Sequence, residues 1–144
     1  MREVIVDTFR DPIAPDILQV LQLHTAGSPW LPGLREFACE EATEAFVPFI
    51  PLFLYPKTTA IDIRFVENIP SAVVASMIAR LSTLCPDLEC IGLDGLPRHP
   101  VITETVSETL LACNQDTLQT FRVDSPLTEE AREAVYRLPR LLHL

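Results

Sequence analysis

Five short segments of the chain share one arrangement of apolar and polar positions, and a sixth begins where the sequence ends. Each has a leading residue, apolar except at Thr58, with apolar residues three and five places later. The leading positions are Met1, Leu34, Thr58, Leu88, Leu118 and Leu141, at intervals of 33, 24, 30, 30 and 23 residues. Apolar and polar residues alternate inside each segment, which predicts a strand with one buried face.

An L-x-x-L-x-L skeleton that recurs at intervals of about 20 to 30 residues is typical of leucine-rich repeats, which add one strand and one helix per unit. We therefore predict an α/β fold, a leucine-rich-repeat solenoid of about five repeats, with parallel strands on the concave face and helices on the convex face. One buried column should then run across adjacent strands through Val4, Phe37, Ile61, Ile91 and Phe121.

The segments between the predicted strands carry helical patterns. Residues 70–84 place four apolar side chains on one stripe: Val73, Met77, Leu81 and Leu84. Residues 103–113 predict a helix capped by Thr103, and residues 128–138 predict one capped by Thr128. Residues 15–25 give a weaker helical pattern.

Two prolines interrupt the segment between the second and third strands. Pro48 and Pro51 each remove a backbone donor and hinder the preceding turn. This segment should form short helical turns that press four side chains onto the core: Phe46, Phe49, Ile50 and Phe53.

The whole chain, residues 1–144, is expected to form a single domain. Because the sequence stops at Leu144, an inward-facing strand position without a polar cap, we expect a fragment of a longer array. Leu138, Leu141 and Leu144 should present an apolar edge through which the chain self-associates.

Charge and composition narrow the function. The net charge of −9 argues against nucleic acids and anionic membrane surfaces as partners. The opening residues "MREVIVDTFRD" are charged too early and too often for a signal peptide. A cytoplasmic or nuclear location with reduced thiols follows. Thirteen prolines against four glycines suit a fold with many short turns, and no glycine-rich phosphate motif occurs in the sequence.

No pattern of catalytic or metal-binding side chains stands out. The four cysteines include no C-x-x-C pair, so we expect Cys39 and Cys113 to be buried and Cys90 to point outward. The three histidines each stand alone, and no Ser/His/Asp order or nucleophile elbow is visible. We therefore expect no enzyme activity, no cofactor and no metal site.

The strand pattern also predicts a binding surface. If Phe37 and Cys39 point inward, alternation turns a second set of side chains outward. Across the strands they form two predicted rows: Asp7, Glu40, Arg64, Asp94 and Asp124 in one, and Ile5, Ala38, Asp62, Gly92 and Arg122 in the next. Small residues in the middle of that face should leave room for a partner, and carboxylates should line one margin. We assign protein binding on this concave face to Asp62, Arg64, Asp94, Arg122 and Asp124, and expect a partner with a basic contact patch. The alternative is that these charges only keep an exposed sheet soluble and unpaired.

"LCPDLECIGLDGL" resembles the cysteine-containing leucine-rich repeats of F-box proteins. "LPGLREFACEEA" and "PLFLYPKTTAIDIRF" resemble the divergent repeats of large F-box families in mushroom-forming fungi. In that family the repeats recruit a protein substrate, and an F-box docks to the adaptor of an SCF-type ubiquitin ligase. We find no F-box segment, because the strand-like "REVIVDTF" begins almost at once.

The resemblance implies a non-catalytic module that recognises a protein substrate. Two alternatives stay open: a small α/β enzyme domain with a parallel sheet, and a purely structural segment of a longer repeat protein. Glycine or polar catalytic residues just after the strands would favour the enzyme, and only "DGL" supplies a glycine there.

Overall fold

The computed structural model describes residues 3–6, 15–25 and 30–139. Five strands form one sheet in chain order, and every neighbouring pair is parallel. They are β1 (Glu3–Val6), β2 (Glu36–Ala42), β3 (Ala60–Phe65), β4 (Cys90–Asp94) and β5 (Thr120–Val123). The α/β class with a parallel sheet is confirmed.

Helical segments fill the connections between the strands. They are α1 (Pro15–Thr25), a 3₁₀ helix (Val47–Leu52), α2 (Ser71–Ile78), α3 (Leu81–Leu84), α4 (Pro100–Ala112) and α5 (Glu129–Arg137). A parallel pair needs such a crossover, because the chain must return to the starting edge before the next strand begins. None of the described helices is long and apolar enough to cross a membrane.

The predicted column is confirmed by the strand register, which aligns Val4, Phe37, Ile61, Ile91 and Phe121 across the sheet. The last four of these side chains are buried. The next inward positions, including Cys39, Ile63 and Leu93, are buried as well. One face of the sheet is therefore covered by the core, as strand alternation predicts.

A third buried layer lies at the leading positions of the four repeated segments for which the structure describes that residue. Leu34, Leu88 and Leu118 are fully buried there, and so is Thr58, the residue that departs from the pattern. Its hydroxyl donates to the carbonyl of Leu34 at 3.2 Å and accepts from the amide of Tyr55 at 3.2 Å. Because both hydrogen-bonding capacities are used, the threonine fits a position that leucine fills elsewhere.

Residues 70–84 form two helices rather than one. A turn at Ala79 and Arg80 interrupts the helix and separates α2 from α3. Val74 and Ile78 lie in the core with Met77 and Leu81, whereas the predicted stripe members Val73 and Leu84 are half-buried and pack against it. The prediction of one continuous helix was wrong, while all four members of the predicted stripe lie in the core or pack against it.

Helix α4 begins three residues before the predicted cap, so the assignment of Thr103 was wrong. Its N-cap is His99, whose Nδ1 accepts from the amide of Val101 at 3.2 Å. Pro100 occupies the first turn, where its missing amide hydrogen costs nothing and its fixed φ favours the helix. The cap predicted at Thr128 is confirmed, since its hydroxyl accepts from the amide of Ala131.

The proline-interrupted segment forms the 3₁₀ helix with Pro51 inside it. Its four predicted anchors, Phe46, Phe49, Ile50 and Phe53, are all buried. Trp30 packs edge-to-face on Phe53 with ring centroids 5.0 Å apart. The tryptophan therefore covers the edge of the core.

Three cysteines are buried in the core, and Cys90 is half-buried. The predictions for Cys39 and Cys113 are confirmed. Burial raises the pKa of Cys85 to about 12 and that of Cys113 to about 11, from an ordinary value of 9.0. Both thiols therefore stay protonated in the folded chain under conditions that ionise them in the unfolded chain.

We expect this difference to lower stability as the pH rises above 9.0, the ordinary thiol pKa. Between about pH 9 and pH 11 the unfolded chain releases protons that the folded chain retains, so each thiol reduces the free energy of unfolding by up to about 1.4 kcal/mol per pH unit. Denaturant titrations across this range should show a shallower decline for Cys85→Ala. Cys113→Ala should show a shallower decline as well, because burial also raises the pKa of that thiol. Equal slopes for all three proteins would contradict the burial argument.

Replacement by alanine should cost much more stability at Gly95 than at Gly92. Gly95 has a φ of +73°, and an added Cβ would lie 2.2 Å from the carbonyl oxygen of Phe65. Gly95→Ala should therefore lower the free energy of unfolding by about 1 to 3 kcal/mol or more. At Gly92 the nearest atoms belong to the movable ends of Asp62 and Arg122. Chemical denaturation of Gly92→Ala should show a change below about 1 kcal/mol, and equal losses at both sites would refute this distinction.

Candidate protein-binding face

The second face of the sheet carries no covering helix among the described residues, and we name it the open face. It consists of these outward-facing residues: Ile5, Glu36, Ala38, Glu40, Ala60, Asp62, Arg64, Cys90, Gly92, Asp94, Thr120 and Arg122. The register aligns Ile5, Ala38, Asp62, Gly92 and Arg122 in one row across the five strands. This row is the one that the sequence predicts.

The neighbouring predicted row is only partly formed. Arg64 and Asp94 are aligned on adjacent strands. Glu40 leaves this row because the pairing of β2 with β3 shifts between Cys39 and Ala42. Such a β-bulge inserts an extra residue into one strand and bends it locally. Asp124 lies just after β5 and outside its pairing with β4, and the fifth predicted member, Asp7, lies outside the described residues.

Arg122 connects three strands of the open face. Its Nη1 donates to Oδ2 of Asp94 at 2.7 Å, and its Nη2 donates to Oδ1 of Asp62 at 2.9 Å. Asp62 lies on β3, two strands away from Arg122. The side chains of Asp62 and Arg122 are more than half exposed, whereas that of Asp94 is 24% exposed. Solvent-exposed ion pairs typically contribute less than about 1 kcal/mol, so this network mainly fixes side-chain positions.

The long reach from β5 to β3 depends on Gly92, which lies between the two partners. A Cβ at this position would stand 2.6 Å from Oδ1 of Asp62 and 3.1 Å from Nη2 of Arg122. The ion pair therefore passes directly over the glycine and buries it. We predicted that small residues here leave room for a partner, and at Gly92 that prediction was wrong because the arginine fills the room.

Space for a partner remains on β2, above Ala38, which neighbours Asp62 in the same row. A shallow depression of about 230 Å³ is lined there by Ile5, Ala38, Cys39, Glu40, Asp62, Arg64 and Asp94. Its apolar side comes from β1 and β2, and its charged side comes mainly from β3 and β4. The depression is large enough for a protruding side chain of a partner.

Asp124 differs from the other predicted binding residues. It follows β5, and its Oδ2 and Oδ1 accept from the amides of Gly95 at 2.7 Å and Leu96 at 3.1 Å. The carboxylate therefore ties the loop after β4 to the end of β5. Asp62, Arg64, Asp94 and Arg122 lie together on the open face, whereas Asp124 supports the adjoining loop. The binding roles of all five stay predictions.

A larger cleft, of about 660 Å³, lies beyond the carboxyl ends of β4 and β5. Its walls are the two loops that follow these strands and the first turns of the helices after them. His99, Glu104 and Asp124 are the lining side chains whose chemistry suits proton transfer. Because backbone amides already engage Nδ1 of His99 and both oxygens of Asp124, the described contacts give these groups structural roles.

Within the described residues, no three histidine, cysteine, aspartate or glutamate side chains form a group that could hold a metal ion. Comparison of the chain with protein-family models, curated proteins and solved structures gives no match. The open face and the cleft are therefore the two features of the structure that bear on function.

The sequence carries a signal for the Arg122 network. In the predicted row, Gly92 stands between residues of opposite charge, Asp62 and Arg122. A glycine leaves two long side chains free to meet across the intervening strand. No comparable signal marks Asp124, because its partners are backbone amides in a loop whose shape depends on Gly95.

Removing the carboxylate of Asp124 should destabilise the fold. Asp124→Ala removes the acceptor of the Gly95 and Leu96 amides, and because the first bond is exposed and the second part-buried, water can partly replace it, so the cost should be about 0.5 to 1.5 kcal/mol. Urea denaturation should detect this loss. Glu40→Ala, at an exposed position of the open face, is the control and should change stability by less than about 0.5 kcal/mol. An unchanged midpoint for Asp124→Ala would show that the loop does not depend on this carboxylate.

Proposed function

We propose that the chain is a leucine-rich-repeat solenoid of about five repeats that binds a protein through its open face. Successive strands in chain order, each separated from the next by a helical segment, support the repeat arrangement. The observation that carries the binding proposal is the open face itself. It is a parallel-sheet face left uncovered among the described residues, whereas parallel sheets ordinarily bury both faces.

The charges of this face favour a partner with a basic contact patch. The open face carries more carboxylates than guanidinium groups. The four carboxylates belong to Glu36, Glu40, Asp62 and Asp94, and the two guanidinium groups belong to Arg64 and Arg122. Arg122 already engages two of the carboxylates. The negative charge is therefore concentrated toward β2, beside the depression over Ala38. A basic side chain could enter there with its aliphatic stem against Ile5 and Ala38.

The resemblance to F-box proteins suggests what kind of binding this is. In that family such repeats hold a protein substrate for ubiquitin transfer, without taking part in the chemistry. We propose the same role for this chain: a non-catalytic substrate-recognition module. The charges also protect an exposed sheet from unwanted pairing, and that property is compatible with binding.

The cleft beyond β4 and β5 favours one alternative, a small α/β enzyme domain. Ligands of open parallel sheets typically bind outside the carboxyl ends of the strands, and the cleft lies there with a volume in the usual range for small-molecule sites. His99 and Asp124 in the cleft already accept hydrogen bonds from backbone amides. The cleft is therefore the weaker candidate for the functional site, and the open face is the stronger one.

Charge reversal on β2 tests the proposal. Glu36→Lys combined with Glu40→Lys should lower capture of the partner from extracts of cells that express the chain by about tenfold or more, because a basic patch would meet two like charges. The matched control is Glu108→Lys combined with Glu133→Lys, which makes the same change of charge on α4 and α5. It should retain the partner. Quantitative mass spectrometry of the captured proteins, with circular dichroism to verify folding, provides the readout. Identical captured sets for the two double variants would rule out the open face.

A further inference from the structure

Helix α1 carries an exposed apolar stripe, which distinguishes it from the other helices. The exposed fractions of Ile17, Val20 and Leu23 are 55%, 52% and 81%. Half of the six exposed large hydrophobic side chains in the described part of the chain therefore lie on this helix of 11 residues. Leu18 is 1% exposed and anchors the helix to the core.

The stripe is centred on Val20. At about 100° per residue, Ile17 and Leu23 lie about 60° to either side of Val20 around the helix axis, and Leu18 lies about 160° away. The buried anchor and the apolar stripe therefore occupy opposite sides of α1. This geometry leaves the stripe facing away from the core of its own chain.

The flanking charges have the same symmetry. Asp16 and His24 are both exposed and lie four residues before and four residues after Val20. They fall about 40° to either side of it. If a second copy of α1 runs antiparallel with Val20 on a two-fold axis, Ile17 meets Leu23 of that copy. Asp16 then meets His24 of the copy on both sides of the axis.

We propose that the chain forms a symmetric homodimer through α1, with the two helices antiparallel and crossing at Val20. A surface that complements itself about one point is what a two-fold interface requires, because each contact must occur twice. The Asp16–His24 pairs add directional hydrogen bonds at the margins of the apolar contact. Leu138, which we expected at an exposed associating edge, is buried, and Leu141 and Leu144 lie outside the described residues.

The contact involves one helix from each protomer, so it belongs to the small interfaces, below about 1,200 Å² in total. We therefore expect a dimer that forms at high concentration and dissociates on dilution. This proposal does not depend on the open face, since it uses only side chains of α1. Loss of dimerisation and loss of partner capture are separate results.

Sedimentation velocity over a wide range of concentrations tests the dimer. The wild type should shift from monomer to dimer, and Val20→Glu should raise the dissociation constant by about tenfold or more, because two carboxylates would meet on the axis. Gln19→Glu adds the same charge to the same helix, about 100° from the centre of the stripe, and should retain the dimer. A wild type that stays monomeric, or a dimer that Val20→Glu leaves intact, would overturn the proposal.

Two further variants test the antiparallel pairing. His24→Asp should weaken the dimer, since it would face Asp16 of the second copy, and adding Asp16→Lys should restore it. In a Cys90→Ala background, Val20→Cys should cross-link to its own copy under mild oxidation. Helix axes about 8 to 10 Å apart bring these Cα atoms to within about 6 Å of each other, the separation that a disulfide needs. Gln19→Cys should not cross-link. Failure of both the charge-swap rescue and the Val20→Cys cross-link would exclude this arrangement.

Discussion

The constraint on which the rest of the structure depends is the shared register of successive parallel strands. Phe37, Ile61, Ile91 and Phe121 are buried because they are aligned, and Asp62, Gly92 and Arg122 share a row for the same reason. A slip of one residue in any strand would exchange its buried and exposed faces. Burial of the apolar column therefore fixes which charged side chains meet on the other face, although these charges add little to stability themselves.

Alternation and repeat spacing were sufficient to predict the strands, because they report a preference summed over many residues. The details that failed depend on single local competitions. Thr103 and His99 both precede a helical pattern, and Pro100 decides between them by favouring the first helical turn directly after His99. The break at Ala79 and Arg80 and the bulge after Cys39 lack such a residue. Periodicity cannot locate them, since the residues on each side keep their apolar pattern.

The candidate site was predictable to a similar degree. Its members follow from strand alternation, and the reach of Arg122 over Gly92 follows from their positions in one row. The function of Asp124 does not, because the carboxylate acts on two amides that converge only when Gly95 adopts a positive φ. An acidic residue just after a strand has the same appearance in sequence whether it binds a partner or closes a loop.

Under the proposed function, the Arg122 network would limit where a partner gains affinity. A basic group that approaches Asp62 or Asp94 must compete with a guanidinium already held at 2.9 and 2.7 Å. The exchange replaces one ion pair with another, so its net gain is small. Glu36 and Glu40 are exposed on β2, beside the apolar surface of Ile5 and Ala38. A basic side chain that enters there gains electrostatic attraction to the carboxylates and apolar contact at the same time. Binding energy should therefore concentrate at the β1–β2 end of the open face, with Arg122 acting to keep the β3–β5 end ordered and neutral.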